Sequence, residues 1–210
     1  RFCGRMNSSE LSPALIFRLL LKPRDVFDEL STTRPSAHAV FFRLAIWLGL
    51  VPPVFAFIGA SAFGWRLGAV EPIFFSSGTL FAISVAYFLT LLFGFITTAV
   101  VSQWMASTYG ARHSLGIHFA MITVVGAPLA VGSVIHLYPH VFINIIALVP
   151  VLIWSMYLLY RGLPIVLQTT PERGMLMASS LIGYLLVAAV SLLGLTVVLW
   201  GHGIGPRIGV

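Results

Sequence analysis

Polar residues are spaced along this chain as breaks between long apolar runs. Five such runs cover about residues 40–63, 79–105, 117–135, 141–160 and 175–200. Each is long enough for a helix to cross a bilayer core of roughly 30 Å, which takes about 20 residues. Two shorter segments precede them. Residues 11–22, LSPALIFRLLLK, place Leu15, Ile16, Leu19 and Leu20 on one helical face, with Arg18 and Lys22 free to reach headgroups. Pro23 then opens PRDVFDEL, where proline suits a first helical turn and Asp25 complements the positive end of the helix dipole. The pattern predicts an all-α polytopic membrane protein: five transmembrane helices preceded by an N-terminal amphipathic helical segment. The expected organisation is a cytoplasmic N-terminal segment (1–36), a five-span membrane domain (37–203) and a short external tail (204–210).

Composition excludes the soluble alternative. Hydrophobic residues make up 59% of the 210 and charged residues 9%, with a mean hydropathy of +1.00, whereas a soluble domain carries about 25% charged residues. The formal charge of +6 therefore points to topology and phospholipid contacts, not to a nucleic-acid partner. With the N-terminus inside, Arg1, Arg5, Arg18, Lys22, Arg24, Arg34, Arg43, Arg112, Arg161 and Arg173 share the cytoplasmic side, against Arg66 and Arg207 opposite. That bias predicts a cytoplasmic N-terminus and a periplasmic C-terminus. Cys3 is the single cysteine and has no partner for an intrachain disulfide or a zinc site. Met6 is a candidate native start.

Several spans carry features beyond hydrophobicity. Pro52-Pro53 should bend or break the first, Gly126-Ala127-Pro128 should kink the third, and Pro150 sits within the fourth. The second holds small residues at every fourth position: Ala82, Ala86, Thr90, Gly94, Thr98, Ser102 and Ala106. Such a ladder lets neighbouring helices approach closely and predicts a central helix with several partners.

The polar candidates inside spans are Arg43, Gln103, His118 and Asn144, and no Asp, Glu or Lys lies there, which weighs against ion-coupled transport. His136 and His140 have the spacing of a helical metal pair, but Pro139 interrupts a helix between them and no third ligand is evident, so no metal site is expected. There is no HExxH, GxSxG, P-loop or dinucleotide fingerprint. Neither catalytic residues nor a cofactor is expected.

GAPLAVGSVIHLYP (126–139), YLLYRGLP (157–164), LTVVLWGHG (195–203) and FIGASAFGWRLG (57–68) together resemble the bacterial, YohC-like inner-membrane branch of the Yip-domain family. The resemblance covers roughly residues 12–203 and implies five spans in the bacterial inner membrane, with the N-terminus inside. Eukaryotic relatives look like trafficking factors that bind Rab-class GTPases, a role with no counterpart in a bacterium. The best-matching motif contains Tyr157, Tyr160, Arg161, Gly162, Leu163 and Pro164. Tyr160 and Arg161 read as interfacial anchors, Gly162 and Pro164 as the turn out of the fourth span, and the set as a candidate cytoplasmic docking motif. The expected role is non-enzymatic: membrane organisation, lipid binding or protein scaffolding, with membrane lipids, a second copy or other membrane proteins as partners. The competing reading is a small-solute or ion channel or transporter along the proline-bearing spans.

Overall fold

The computed structural model describes residues 14–32, 35–66, 68, 71–111 and 114–202. The readings for Cys3, Met6, Arg34, Arg112 and the 204–210 tail lie outside them. Two short helices come first, α1 (Ala14–Leu21) and α2 (Pro23–Thr32). The first span begins at α3 (Ala37–Val40), where the Ser36 hydroxyl caps the Ala39 amide at 3.2 Å. It continues through a π-helical turn, Phe41–Ala45, into α4 (Ile46–Phe63). Gly64 ends α4 with φ at 67°, a conformation glycine adopts without strain. The second span is α5 (Ser77–Thr108), capped by Ser76. The third is α6 (Leu115–Gly132) with a 3-10 extension, Ser133–Leu137; the fourth is α7 (Val141–Val166); the fifth is α8 (Pro171–Gly201). Among the described residues these are five helices long and apolar enough to cross a membrane. Helices are the expected solution, because hydrocarbon offers no partner for an unpaired backbone group.

Two expectations are corrected by this architecture. Pro52 and Pro53 do not break the first span: they lie inside α4, as Pro128 lies inside α6 and Pro150 and Pro164 inside α7. Pro52, Pro53 and Pro128 are buried against neighbouring elements, so packing holds the helix where the backbone has lost a donor. The central helix is α6, not α5. Of the most apolar stretch of α6, 56% is buried, against 6% for α5 and for α8. α6 packs against α3, α4, α5 and α7 and also meets α1 and α2.

The helices α1 and α2 close one end of the bundle, called here the proximal end. Leu19, Val26, Phe27 and Leu30 are buried, and α2 lies against α7 and α6. An Arg18–Glu29 ion pair at 2.8 Å links the two helices on an exposed face, where such pairs contribute little. The Phe27 ring, fully buried, sits over Gly162, where a β-carbon would stand 2.7 Å from Phe27 Cε1 and 2.8 Å from Met121 Cε.

Candidate functional site

Packing loosens away from the proximal end. On α8, Met177, Ala178 and Leu181 are fully buried, but from Leu185 outward nearly every residue is exposed, and β-carbons at Gly183 and Gly194 would meet nothing within 4 Å. The distal half of α8 thus stands apart from α5 and α7. The space between them is a cleft of about 1320 Å³ whose walls come mainly from α4, α5 and α7, with Leu129 of α6 and Thr196 of α8.

The small-residue ladder of α5 divides along this boundary. Thr98, Ser102 and Ala106 are buried in the proximal half. Ala82, Ala86 and Thr90 are exposed and line the cleft, and Gly94 between the two groups has open space beside it. Small side chains here widen a cavity where the sequence suggested a helix contact.

Polar groups gather at the distal end of the cleft. The 3-10 turn carries His136 and the first turn of α7 carries Asn144, and both line the cavity. Asn144 Nδ2 donates to the Tyr138 and His140 carbonyls, each at 2.8 Å. Both amide hydrogens being spent, Asn144 Oδ1 accepts from His136 Nδ1. The Tyr87 ring lies 6.5 Å from the imidazole, centroid to centroid. This corner is anchored on α4 by Gly59, whose β-carbon position is 2.2 Å from the His136 carbonyl oxygen. Only a residue without a side chain lets the turn come so close.

Above the corner, backbone pairing ties the loops together. Trp65 and Ile73 exchange hydrogen bonds at 2.8 Å, Arg66 N donates to the Pro139 carbonyl at 2.9 Å, and Val141 N donates to the Arg66 carbonyl at 3.1 Å. Trp65, Pro139 and Val141 line the cleft; Arg66 and His140 do not.

The remaining candidates are dispersed. His118 is fully buried on α6, with its Nδ1 2.9 Å from Ser102 Oγ, so it joins α6 to the proximal ladder of α5. Gln103 is half-buried next to Ser102 in sequence, and Arg43 is exposed on the π turn. Tyr157 stacks on Trp154 and carries the Arg161 guanidinium over its ring at 5.8 Å, while Tyr160 Oη and Ser179 Oγ are 2.9 Å apart across α7 and α8. Gly162 and Pro164 do not turn the chain. α7 runs on to Val166, Gly162 receives Phe27, and the Pro164 ring abuts Gly174 of α8, within 3.0 Å of its β-carbon position. Gly162 and Pro164 are thus packing contacts for α2, α6 and α8, while Tyr157 and Arg161 of the same motif are exposed. Among the described residues no cluster of three or more His, Cys, Asp or Glu could hold a metal.

The family model for the Yip1 domain matches residues 17–192. The chain is 32% identical over 156 residues to inner membrane protein YohC of Escherichia coli K12, covering 74% of this chain and 80% of that protein. The YohC of E. coli O6:H1 strain CFT073 matches to the same extent. No solved structure matches the chain significantly.

Proposed function

The chain belongs to the Yip1 domain family, and on that premise we propose that it is a non-enzymatic inner-membrane protein that holds a lipid in its distal cleft. The observation that carries the reading is the cleft itself. Its volume of about 1320 Å³ exceeds the roughly 300–1,000 Å³ of pockets for drug-sized ligands. Its walls are largely apolar, with the His136–Asn144 pair at its distal end and separate hydroxyls along α5, which suits an amphipathic molecule standing along a membrane normal. Transport is less well supported, because the cleft stops at the proximal half. There Ala99, Ser102, His118, Met121, Leu158 and Leu181 are buried, with no more than 5% of any of them exposed.

Native mass spectrometry of the purified protein tests this reading. Lipid is expected to stay bound through mild purification. Ala86→Trp, at an exposed position on the cleft wall, is expected to displace most of it without lowering thermal stability. In proteoliposomes, solute and ion flux is expected to stay at the empty-liposome level. Flux that His136→Ala or Asn144→Ala abolishes would make this a transport protein instead.

The proposal includes a direction: proximal end cytoplasmic, cleft in the periplasmic half. The basic residues Arg18, Lys22, Arg24, Arg43, Arg161 and Arg173 all belong to the proximal end, which supports it. A cysteine placed at His202, in a Cys3→Ser background, is expected to react with a membrane-impermeant maleimide in intact spheroplasts. One placed at Thr32 is expected to react only after lysis; the opposite pattern overturns the orientation.

A further inference from the structure

The chemistry of the polar corner limits which lipid the cleft can take. Asn144 spends both amide hydrogens on backbone carbonyls, so its Oδ1 fixes the hydrogen of His136 on Nδ1. In a neutral ring the other nitrogen, Nε2, then carries only a lone pair. Among the described residues it has no hydrogen-bond partner, and His136 lines the cleft half-buried.

Two of the hydroxyls that line the cleft, on Thr90 and Thr196, are biased the same way, while Thr79 pairs with the Ser76 hydroxyl and Ser84 stands on the α5 wall. Thr90 donates to the Ala86 carbonyl and Thr196 to the Leu192 carbonyl, each at 2.8 Å, which leaves their oxygens as acceptors. Of the lining hydroxyls, Tyr87 lies closest to the corner, its ring centroid 6.5 Å from that of His136. Among the described residues no Lys, Arg, Asp or Glu lines the cleft; Arg66, whose main chain bonds Pro139 and Val141 and whose buried Nε has no partner, is not part of its wall. An anionic headgroup drawn into this corner would lose hydration with no cation in the wall to pair with it, and an unpaired charge in an apolar site is costly. A headgroup with no hydrogen to donate would leave Nε2 unsatisfied. The site asks for a ligand that is uncharged and brings a donor.

We propose that the cleft binds an uncharged, hydroxyl-bearing lipid, whose O–H donates to His136 Nε2 beside Tyr87 while its acyl chains lie along α5, α7 and the splayed half of α8. The proposal rests on the lipid reading above and specifies its headgroup.

Three probes that share their acyl chains separate the terms. Dioleoylglycerol is uncharged with a free hydroxyl, dioleoyl-acetylglycerol lacks the donor, and dioleoyl phosphatidic acid adds charge. Competition binding to the full chain in detergent micelles is expected to rank dioleoylglycerol about tenfold tighter than either of the others, the scale set by one buried hydrogen bond. His136→Phe is expected to erase the preference over the acetylated lipid, because both lipids then meet a ring with no lone pair to satisfy. Because the comparison among lipids is made first on the unaltered protein, it stands even if His136→Phe fails to fold. Phosphatidic acid binding as tightly as dioleoylglycerol, or a hydroxyl preference that survives His136→Phe, overturns the headgroup assignment and leaves the lipid-binding cleft intact. Binding of all three unaffected by Ala86→Trp overturns the cleft as the site, and this proposal with it.

Discussion

Phe27→Ala is expected to cost about 3–5 kcal/mol and to release α2 from the bundle. The ring is fully buried and sits over Gly162 of α7, at a point that Met121 of α6 also approaches. Truncation leaves a void that helices fixed by the rest of the bundle cannot collapse to fill. The remaining hold on α2 comes from Val26 and Leu30 and from an exposed ion pair of little worth. Thermal unfolding in detergent reads the loss of stability. Limited trypsin digestion reads the release, as faster cleavage after Arg24. A cycle with Gly162→Ala isolates the contact. In the native background the new methyl would stand 2.7 Å from the Phe27 ring and destabilise. With Phe27 gone, it would partly fill the void and cost far less. Equal costs in both backgrounds would mean that Phe27 does not seat on Gly162.

This contact also shows where the sequence stops being informative. The spans are legible because the requirement behind them is local: hydrocarbon demands an uninterrupted apolar helix, whatever surrounds it. Capping by Ser36 and Ser76 is local too. Gly162 is not. In YLLYRGLP, Gly and Pro read as a turn, and only a ring from the far N-terminal segment converts the glycine into a packing site. The prolines fail as breakers for the same reason, since packing from other elements keeps α4 and α6 continuous. The ladder of α5 was visible as a row of small residues, but whether a small residue admits a helix or enlarges a cavity depends on where α8 stands. In the sequence Asn144 stands out as an intramembrane amide, and His136 only by its spacing from His140. Their pairing depends on the 3-10 turn after α6, which no periodicity announces, and the cleft is assembled from five helices that share no motif.

Glycine-to-alanine substitutions are expected to split into two groups that the sequence does not distinguish. At Gly116, in the first turn of α6, a β-carbon would lie 1.9 Å from the Pro35 carbonyl oxygen and 3.0 Å from the Ala37 amide nitrogen. At Gly59 it would lie 2.2 Å from the His136 oxygen and 2.8 Å from the Leu137 carbonyl group. In both places the obstacle is backbone, which cannot rotate aside, so whole elements must separate by more than an ångström. The cost expected is at the upper end of the roughly 1–3 kcal/mol typical of overpacking, or beyond it. Gly116→Ala pries the entry of the first span off the central helix. Gly59→Ala pushes away the turn that carries His136, so it should weaken lipid retention as well as stability. Gly94, Gly183 and Gly194 have nothing within 4 Å of the added carbon. There alanine should be neutral or stabilising by up to about 1 kcal/mol, the difference in helix propensity. Melting temperatures of the five single variants, measured in one detergent, test the division. A Gly94→Ala variant destabilised as much as Gly116→Ala would mean that a helix does pack on the middle of the ladder and that the cleft is closed where the structure leaves it open. A Gly59→Ala variant that melts like the unaltered protein and retains lipid would separate the α4 contact from the polar corner it is argued to support.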